Sequence, residues 1–279
     1  MTISSLRCDL HIHSNFSDSD ASIEDIFKSA KDASICCIAL TDHDTIDGLA
    51  QAKAVSAATG IEVIEGIEFS ADHNGTEVHV LGYFIDSRNS RLVKDLKVIR
   101  ELRRERLILM ADKLNSMGIN VDNDELMGMV SNGVPTRLHL GQYLTLKGVV
   151  SHIVEAFKKY LSPGRPAYVN RFKHSVKDAI DLIHECGGLA FLAHPHILPD
   201  SSMPEKFLGM GLDGLEVVYP RLVEPKSLIY NEMVERWAAL KSGGSDAHGS
   251  YKKYTNVGAV SIPYAWVELM KQRLKDRVR

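Results

Sequence analysis

Over the first ninety positions, short apolar runs alternate with longer amphipathic stretches. Residues 6–12 read as a strand, and Ser22 then caps a helix in SIEDIFKSAKDA, with Asp25 at the capping-box position. ICCIAL, residues 35–40, reads as a buried strand, followed by a helix over about 46–59. IEVIEGIEF and EVHVLGYF predict a third strand and a hairpin turning at His73, Asn74 and Gly75. Strands alternating with helices in this way predict a parallel sheet covered by helices.

From about residue 88 the pattern becomes nearly continuous helix, running to a stop at Gly118. Further helices are expected over 122–130, 135–147 and 151–161, and SPGRP at 162–166 closes this section. Alternation then resumes with a helix over 175–186, strands LAFLA and GLEVV, a helix near 225–240, the SGGSDAH segment, a strand VGAVSI and a closing helix. The expected architecture is α/β: a β/α barrel built from residues 1–87 and 166–279, interrupted at 88–165 by an all-helical insertion domain that covers the site.

Composition narrows the function classes. With 279 residues, 44% of them hydrophobic, the chain is long enough for a large core, and a net charge of −3 gives no global attraction to nucleic acid or membrane. No apolar run approaches the ~18–20 residues that a membrane span needs, and no basic start leads into an apolar leader, so a cytoplasmic protein without a membrane or evident protein partner is expected. Cys8, Cys36, Cys37 and Cys186 sit in apolar surroundings without metal-type spacing, as reduced thiols would.

The chemistry concentrates at the strand ends. DLHIHSNFSDSD at 9–20 places His11 and His13 on one face of an extended strand, a weak signal taken alone. Thr41, Asp42, His43 and Asp44 follow the second strand, Glu68 lies in the third and His79 within EVHVLGY. His194 and His196 follow LAFLA, and Asp246 and His248 follow the SGG turn. The strand C-termini of a β/α barrel share one face, so these positions become neighbours. Isolated surface polarity explains that coincidence poorly, and a multinuclear metal site explains it well.

These residues make the chain resemble the PHP phosphoesterases, the superfamily named for polymerase and histidinol phosphatase members. The similarity lies in D-L-H-x-H-S at 9–14, S-D-S at 17–19, T-D-H-D-T at 41–45, G-I-E at 66–68, E-V-H-V-L-G-Y at 77–83, A-H-P at 193–195 and G-S-D-A-H-G at 244–249. The resemblance implies a distorted (β/α)7 barrel holding two or three divalent transition-metal ions, with manganese, zinc and iron all compatible. It implies that His11, His13, Asp246 and Glu68 hold the first metal, Glu68, His79 and His194 the second, and Asp18, His43 and His248 the third. Asp9, Asp42 and Asp44 would orient ligand rings. Hydrolysis of a phosphoester by metal-activated hydroxide is the implied reaction. His196 and His139 are the candidate proton donors to the leaving oxygen, with a water as the alternative.

Within the insertion, PTRLHL at 135–140 resembles the Thr-Arg-Pro-His element of a PHP subgroup that contains nucleoside 3′,5′-bisphosphate phosphatases and short-RNA 5′–3′ exonucleases, with Leu138 in place of the proline. A small phosphorylated nucleotide is therefore the expected substrate, with short RNA, or a metabolite such as histidinol phosphate, as alternatives. A non-catalytic metal-binding accessory domain is the reading from a different class. Arg137 offers a planar fork for a phosphate, and His139 and Asp44 join it as candidate substrate contacts. Lys158, Arg165, Tyr168 and Arg171 are weaker candidates, for which a solvated surface is expected. The helix over 88–113 carries nine Lys or Arg against four Asp or Glu, interleaved as on a solvated face. Met110, Met117, Met127 and Met129 are expected in the insertion's core.

Overall fold

The two apolar runs nearest the N-terminus, β1 (Arg7–Ile12) and β2 (Ile35–Leu40), pair in parallel around helix α1 (Ile23–Asp32). β2 pairs in parallel with β3 (Glu62–His73) by way of α2 (Leu49–Thr59). This computed structural model describes residues 6–130, 133–170, 174–252 and 254–277. The reciprocal Ser22–Asp25 capping box satisfies backbone donors at the start of α1 that the helix itself leaves unpaired.

Asn74 and Gly75, with φ of 52° and 82°, turn the chain back into β4 (Thr76–Tyr83), antiparallel to β3. Two successive left-handed residues match the twist of a tight hairpin. A two-residue turn leaves no room for a crossover helix, so β4 returns antiparallel as the expected hairpin requires, within a sheet that is otherwise largely parallel. β4 pairs antiparallel with β6 (Leu189–Leu192), and β7 (Gly214–Val218) and β8 (Leu240–Gly243) follow in parallel. Just beyond β8, Ala247 bridges to Ile12 and accepts a 3.0 Å hydrogen bond from the His13 N–H, so the sheet nearly closes on itself. Short strands β5 (His174–Ser175) and β9 (Ile262–Pro263) are appended to β3 and β1; removing these two from the nine-stranded sheet leaves seven in the barrel.

Near the C-terminus the sequence reading needs two corrections. VGAVSI contributes only Ile262 to a strand, because Gly258 adopts φ 79° and gives its N–H to the Asp9 carboxylate at 2.8 Å. The helix expected to 240 ends earlier, as α9 (Lys226–Arg236), and a left-handed Ala238 (φ 49°) starts the turn into β8. Helix α10 (Tyr264–Arg277) closes the chain.

Helix α3 (Ser90–Ser116) joins two cores. Its Leu92, Leu96 and Ile99 pack against α7 (Val176–Glu185) and the outer face of the barrel. Leu107, Met110, Ala111 and Leu114 pack with α4 (Asn123–Gly128), α5 (Arg137–Leu146) and α6 (Ile153–Ala156) in a separate cluster. At 1.5 Å per residue this single helix is about 40 Å long and ties both cores into one frame. The helix expected over 151–161 is α6 followed by a π-helical turn, Phe157–Leu161. Met110 is fully buried and Met127 and Met129 pack against the helical core, whereas Met117, placed in that core from sequence, caps the end of α3 and is 41% exposed. No helix among the described residues is long and apolar enough to cross a membrane.

Gly214 shows how tightly β7 is clamped, since a Cβ there would lie 2.2 Å from the Leu240 carbonyl oxygen and 2.3 Å from the Phe191 ring. Gly214→Ala should destabilise the protein by about 1–3 kcal/mol through overpacking. Urea unfolding monitored by circular dichroism checks this, and an unchanged midpoint would contradict the clamped geometry.

Candidate metal centre

Glu68, on β3, is fully buried at the C-terminal end of the barrel, and imidazoles surround it. Its Oε2 lies 3.3 Å from His11 Nε2, 3.1 Å from His13 Nε2 and 3.1 Å from His43 Nδ1. Its Oε1 lies 3.0 Å from His79 Nδ1 and 3.1 Å from His194 Nε2. Strand alternation accounts for His11 and His13 sharing a face. A parallel bridge between His43 and Glu68 sets their separation, and Asp44 N–H donates to the Glu68 carbonyl at 3.0 Å.

Asp246 extends the cluster on one side, with Oδ1 at 3.2 Å from His13 Nε2, 3.6 Å from His11 Nε2 and 3.3 Å from His248 Nδ1. Asp18 extends it on the other, 3.3 Å from His248 Nε2, 3.6 Å from His13 Nδ1 and 3.7 Å from His43 Nε2. All nine side chains expected around the metals are therefore brought together. Asp44, His194 and Asp246 take positive φ values of 49°, 29° and 51°, backbone strain of the kind that gathers at functional sites.

These residues fit metal ions on a physical criterion. His11 Nε2, His13 Nδ1 and Nε2, His43 Nδ1 and Glu68 Oε2 are buried and have no aligned hydrogen-bond partner. Buried polar atoms left this way are costly, and coordinated cations would satisfy them. Among the described residues, three groups have ligand atoms within 4.8 Å of one another: His13, Asp18, His43 and His248; His11, His13 and Asp246; and His43, Glu68 and His79. Mixed imidazole and carboxylate donors suit zinc, manganese or iron.

Charge within the cluster is strongly redistributed. Burial alone would raise the Glu68 carboxyl, yet His43, His11 and His79 hold it well below the usual range. Burial lowers His13 and His79, but carboxylates outweigh it: Asp246 and Glu68 raise His13 to about 9, and Glu68 and Glu77 raise His79 to about 10. His43 moves the opposite way, well below its ordinary value, because burial dominates there.

A surrounding shell fixes this arrangement, and the sequence reading assigned it incorrectly in part. Asp9, Asp42 and Asp44 do not touch the ligand rings. Asp9 accepts from the Ser245 and Gly258 backbone at 2.8 Å each, and Asp42 accepts from Ser14 N at 2.7 Å and Ser17 Oγ at 2.5 Å. One residue that does hold a ring is Glu216, whose Oε1 lies 3.0 Å from His11 Nδ1 while Oε2 accepts the His194 N–H at 2.7 Å. A lone acid inside the apolar run GLEVV was its signal. Tyr219 donates to Asp246 Oδ2 at 2.7 Å.

A cleft of about 180 Å³ opens over the cluster, with Arg103, Arg106 and Arg137 in its wall. Arg103 Nε donates to Asp44 Oδ2 at 2.7 Å, and its NH2 donates to Ser70 Oγ at 2.7 Å. Asp44, expected to contact substrate, is buried and also accepts from Ser70 N at 2.9 Å, so it reaches the cleft through Arg103. Arg137 NH2 lies 2.8 Å from Glu77 Oε2, and Glu77 Oε1 lies 3.2 Å from His79 Nε2, joining the cleft wall to the cluster. Arg106 Nε donates to the Val169 carbonyl at 2.8 Å, with NH2 3.9 Å from Glu77. Both α3 arginines were assigned to a solvated face, yet they are buried: Arg103, Arg106, Leu107 and Met110 share one stripe at spacings of three and four.

Neither candidate proton donor lines this cleft. His139 Nδ1 accepts from Thr136 N at 3.1 Å, closing the capping box of α5. His196 lies 4.7 Å from the Tyr219 ring, and burial, followed by His194 and Lys226, lowers it to about 4, leaving it neutral near pH 7. Tyr168 lies against the Arg106 and Arg137 guanidiniums at 5.5 and 5.6 Å, Lys158 and Arg165 are exposed, and Arg171 falls outside the described residues.

Comparison with known proteins places this geometry. Residues 9–190 match the PHP domain family. A 5′-3′ exoribonuclease of Haemophilus influenzae is 31% identical over 95% of this chain and 93% of its own length. A 3′,5′-nucleoside bisphosphate phosphatase of Chromobacterium violaceum is 37% identical over 67% of this chain and 66% of its own. A solved structure from Chromobacterium violaceum, described as an amidohydrolase with sulfate bound and no metal, superposes with a TM-score of 0.85 at 31% identity, covering 95% of this chain and 96% of that one.

The raised imidazoles have a pH consequence. A pKa lifted above the ordinary 6.5 adds stability that is complete below pH 6.5 and is lost as pH rises through about 9 for His13 and about 10 for His79. Metal must displace those same protons. Chelator-treated protein should therefore melt at lower temperature at pH 9.5 than at pH 6.5, while added manganese should stabilise it more at the higher pH. Differential scanning calorimetry checks both trends, and metal stabilisation that is independent of pH would contradict the assignment.

Proposed function

This chain belongs to the PHP family and is a metal-dependent phosphoesterase, and we propose that it removes a phosphate from a small nucleotide carrying two, such as a nucleoside 3′,5′-bisphosphate. The observation that carries this reading is the meeting of the imidazole–carboxylate cluster and three arginines in one cleft. Two or three manganese, zinc or iron ions, held by His11, His13, Asp18, His43, Glu68, His79, His194, Asp246 and His248, would polarise the phosphoryl group and activate the attacking water.

The chain's own groups do the rest. Arg103 pairs with Asp44 and Arg137 with Glu77, and Arg106 lies 3.9 Å from Glu77, so three guanidiniums converge on one wall of the cleft. That convergence favours a dianionic group on the insertion side of the cleft, held bidentately by planar forks already fixed in place. Phe157, in the same wall and 5.8 Å from the Arg137 guanidinium, offers a ring face to a base. Histidinol phosphate has neither a second phosphate nor a purine or pyrimidine to use these features. The free cysteines fit a reducing cytoplasm. A 5′–3′ exonuclease acting on short RNA is the second reading, favoured by the Haemophilus influenzae relative, whose similarity runs over 95% of this chain.

Metal-reconstituted protein assayed against nucleoside 3′,5′-bisphosphates, 3′-monophosphates, 5′-phosphorylated oligoribonucleotides and histidinol phosphate should show the highest kcat/KM for the bisphosphates. Arg137→Ala should raise KM for a bisphosphate by about 10-fold or more, in line with a lost charged hydrogen bond, and should change KM for the monophosphate little. Preference for oligoribonucleotides would replace this substrate with the second reading, and an unchanged KM would remove Arg137 from the site.

A further inference from the structure

We propose that Lys252 is a substrate-contacting residue, its ammonium donating to the phosphoryl group under hydrolysis beside the ligand cluster. This deepens the phosphoesterase reading and rests on it. Three observations carry it. The Lys252 side chain lines the same cleft as Asp18, His43 and His248 and is 41% exposed, so it faces the space that a bound ester must fill. Among the described residues its ammonium meets only Asp246 Oδ2, at 2.8 Å, which leaves N–H groups for another acceptor. Tyr219 already donates to that same Oδ2 at 2.7 Å, so Asp246 keeps a partner without the lysine.

Among the described residues, Lys252 is the lysine or arginine that the barrel brings to the cleft wall, since Arg103 and Arg106 come from α3 and Arg137 from α5. The arginines are engaged with Asp44, Glu77 and the Val169 carbonyl. Lys252, by contrast, adjoins the ligand cluster through one carboxylate: Asp246 Oδ2 holds the ammonium and Oδ1 lies 3.2 Å from His13 Nε2. Its backbone is held on both sides. Asp20 captures Ser250 N at 2.7 Å, and the Lys252 carbonyl accepts from Thr255 N and Thr255 Oγ1 at 3.1 Å each. A cation pre-positioned where phosphoryl charge develops acts without reorganising at the moment of reaction. It belongs to the reacting phosphate, whereas the arginines belong to the second one.

Lys252→Met and Lys252→Arg, each loaded with manganese, are compared with wild type on a nucleoside 3′,5′-bisphosphate, the matching 3′-monophosphate and p-nitrophenyl phosphate, with metal content measured by plasma mass spectrometry. The methionine variant should lose about 10- to 100-fold in kcat, by a similar factor on all three substrates, with wild-type metal content. The arginine variant should recover part of that loss. Undiminished kcat at full metal content would overturn the proposal, as would a loss confined to KM for the bisphosphate. Metal content falling in step with activity, with excess manganese restoring both, would also overturn it, by reducing Lys252 to a positioning residue for Asp246. Should Lys252→Met fail to fold, the arginine variant decides: kcat no better than 1% of wild type at full metal content, without recovery on any substrate, overturns the proposal. Wild-type protein that hydrolyses the aryl ester but no nucleotide would defeat the nucleotide reading and leave the Lys252 comparison intact.

Discussion

A carboxylate with no access to water is the constraint around which this molecule is arranged. Glu68 sits in the middle of β3, fully buried, and five imidazoles lie within 3.3 Å of its two oxygens. Moving an unpaired charge to such a place costs several kcal/mol even after relaxation, so the fold must bring compensating charge. Protonated imidazoles can supply it, at the cost of keeping protons on His13 and His79 above their ordinary range. Divalent cations supply it better, because they also satisfy the unpaired nitrogen atoms of His11, His13 and His43. The barrel exists in this form to hold that convergence: separate strand ends each contribute one or two donors, and the bridge from Ile12 to Ala247 closes the ring on which they stand.

The helical section is joined to this centre by charge as well as by packing. Glu77 is the link, since one carboxylate meets His79 on one side and Arg137 on the other, and its carboxyl lies well below the ordinary range because Arg137 and His79 outweigh burial. Arg103 and Asp44 repeat the device on the β2 side. Because α3 carries both its barrel contacts and its cleft arginines on one continuous helix, a shift of the insertion would move the arginines relative to the cluster. For the proposed bisphosphate, this continuity would fix the separation between the reacting phosphate and the second one, and with it discrimination between substrates that differ in where their phosphates lie.

Much of this was legible before any coordinates, and for identifiable reasons. Strand-end histidines and acids stand out because alternation and barrel topology project them to one place, so a residue type in a local pattern suffices. Glu216 was missed although it is as buried as Glu68, because a single acid in GLEVV carries no local partner to advertise its role. Arg103 and Arg106 were read as solvated, since charge interleaving on α3 says nothing about which stripe the neighbouring α5 covers. Lys252 escaped notice for a similar reason: its meaning depends on how the turn from Asp246 folds back and on Tyr219, which arrives from the end of β7. The hairpin into antiparallel β4 was legible from its Asn-Gly turn, whereas the shortened β9 was misjudged because one glycine overrides the alternation rule.

The claim on which everything else depends is that Glu68 is shared between cations and organises the whole cluster. Metal stoichiometry of Glu68→Ala against wild type, measured by plasma mass spectrometry after reconstitution and gel filtration, tests it most directly. Wild type should carry two or three equivalents per chain, and the variant should lose at least two of them together while its circular dichroism spectrum stays close to wild type. A folded Glu68→Ala protein that keeps the wild-type stoichiometry would contradict the account.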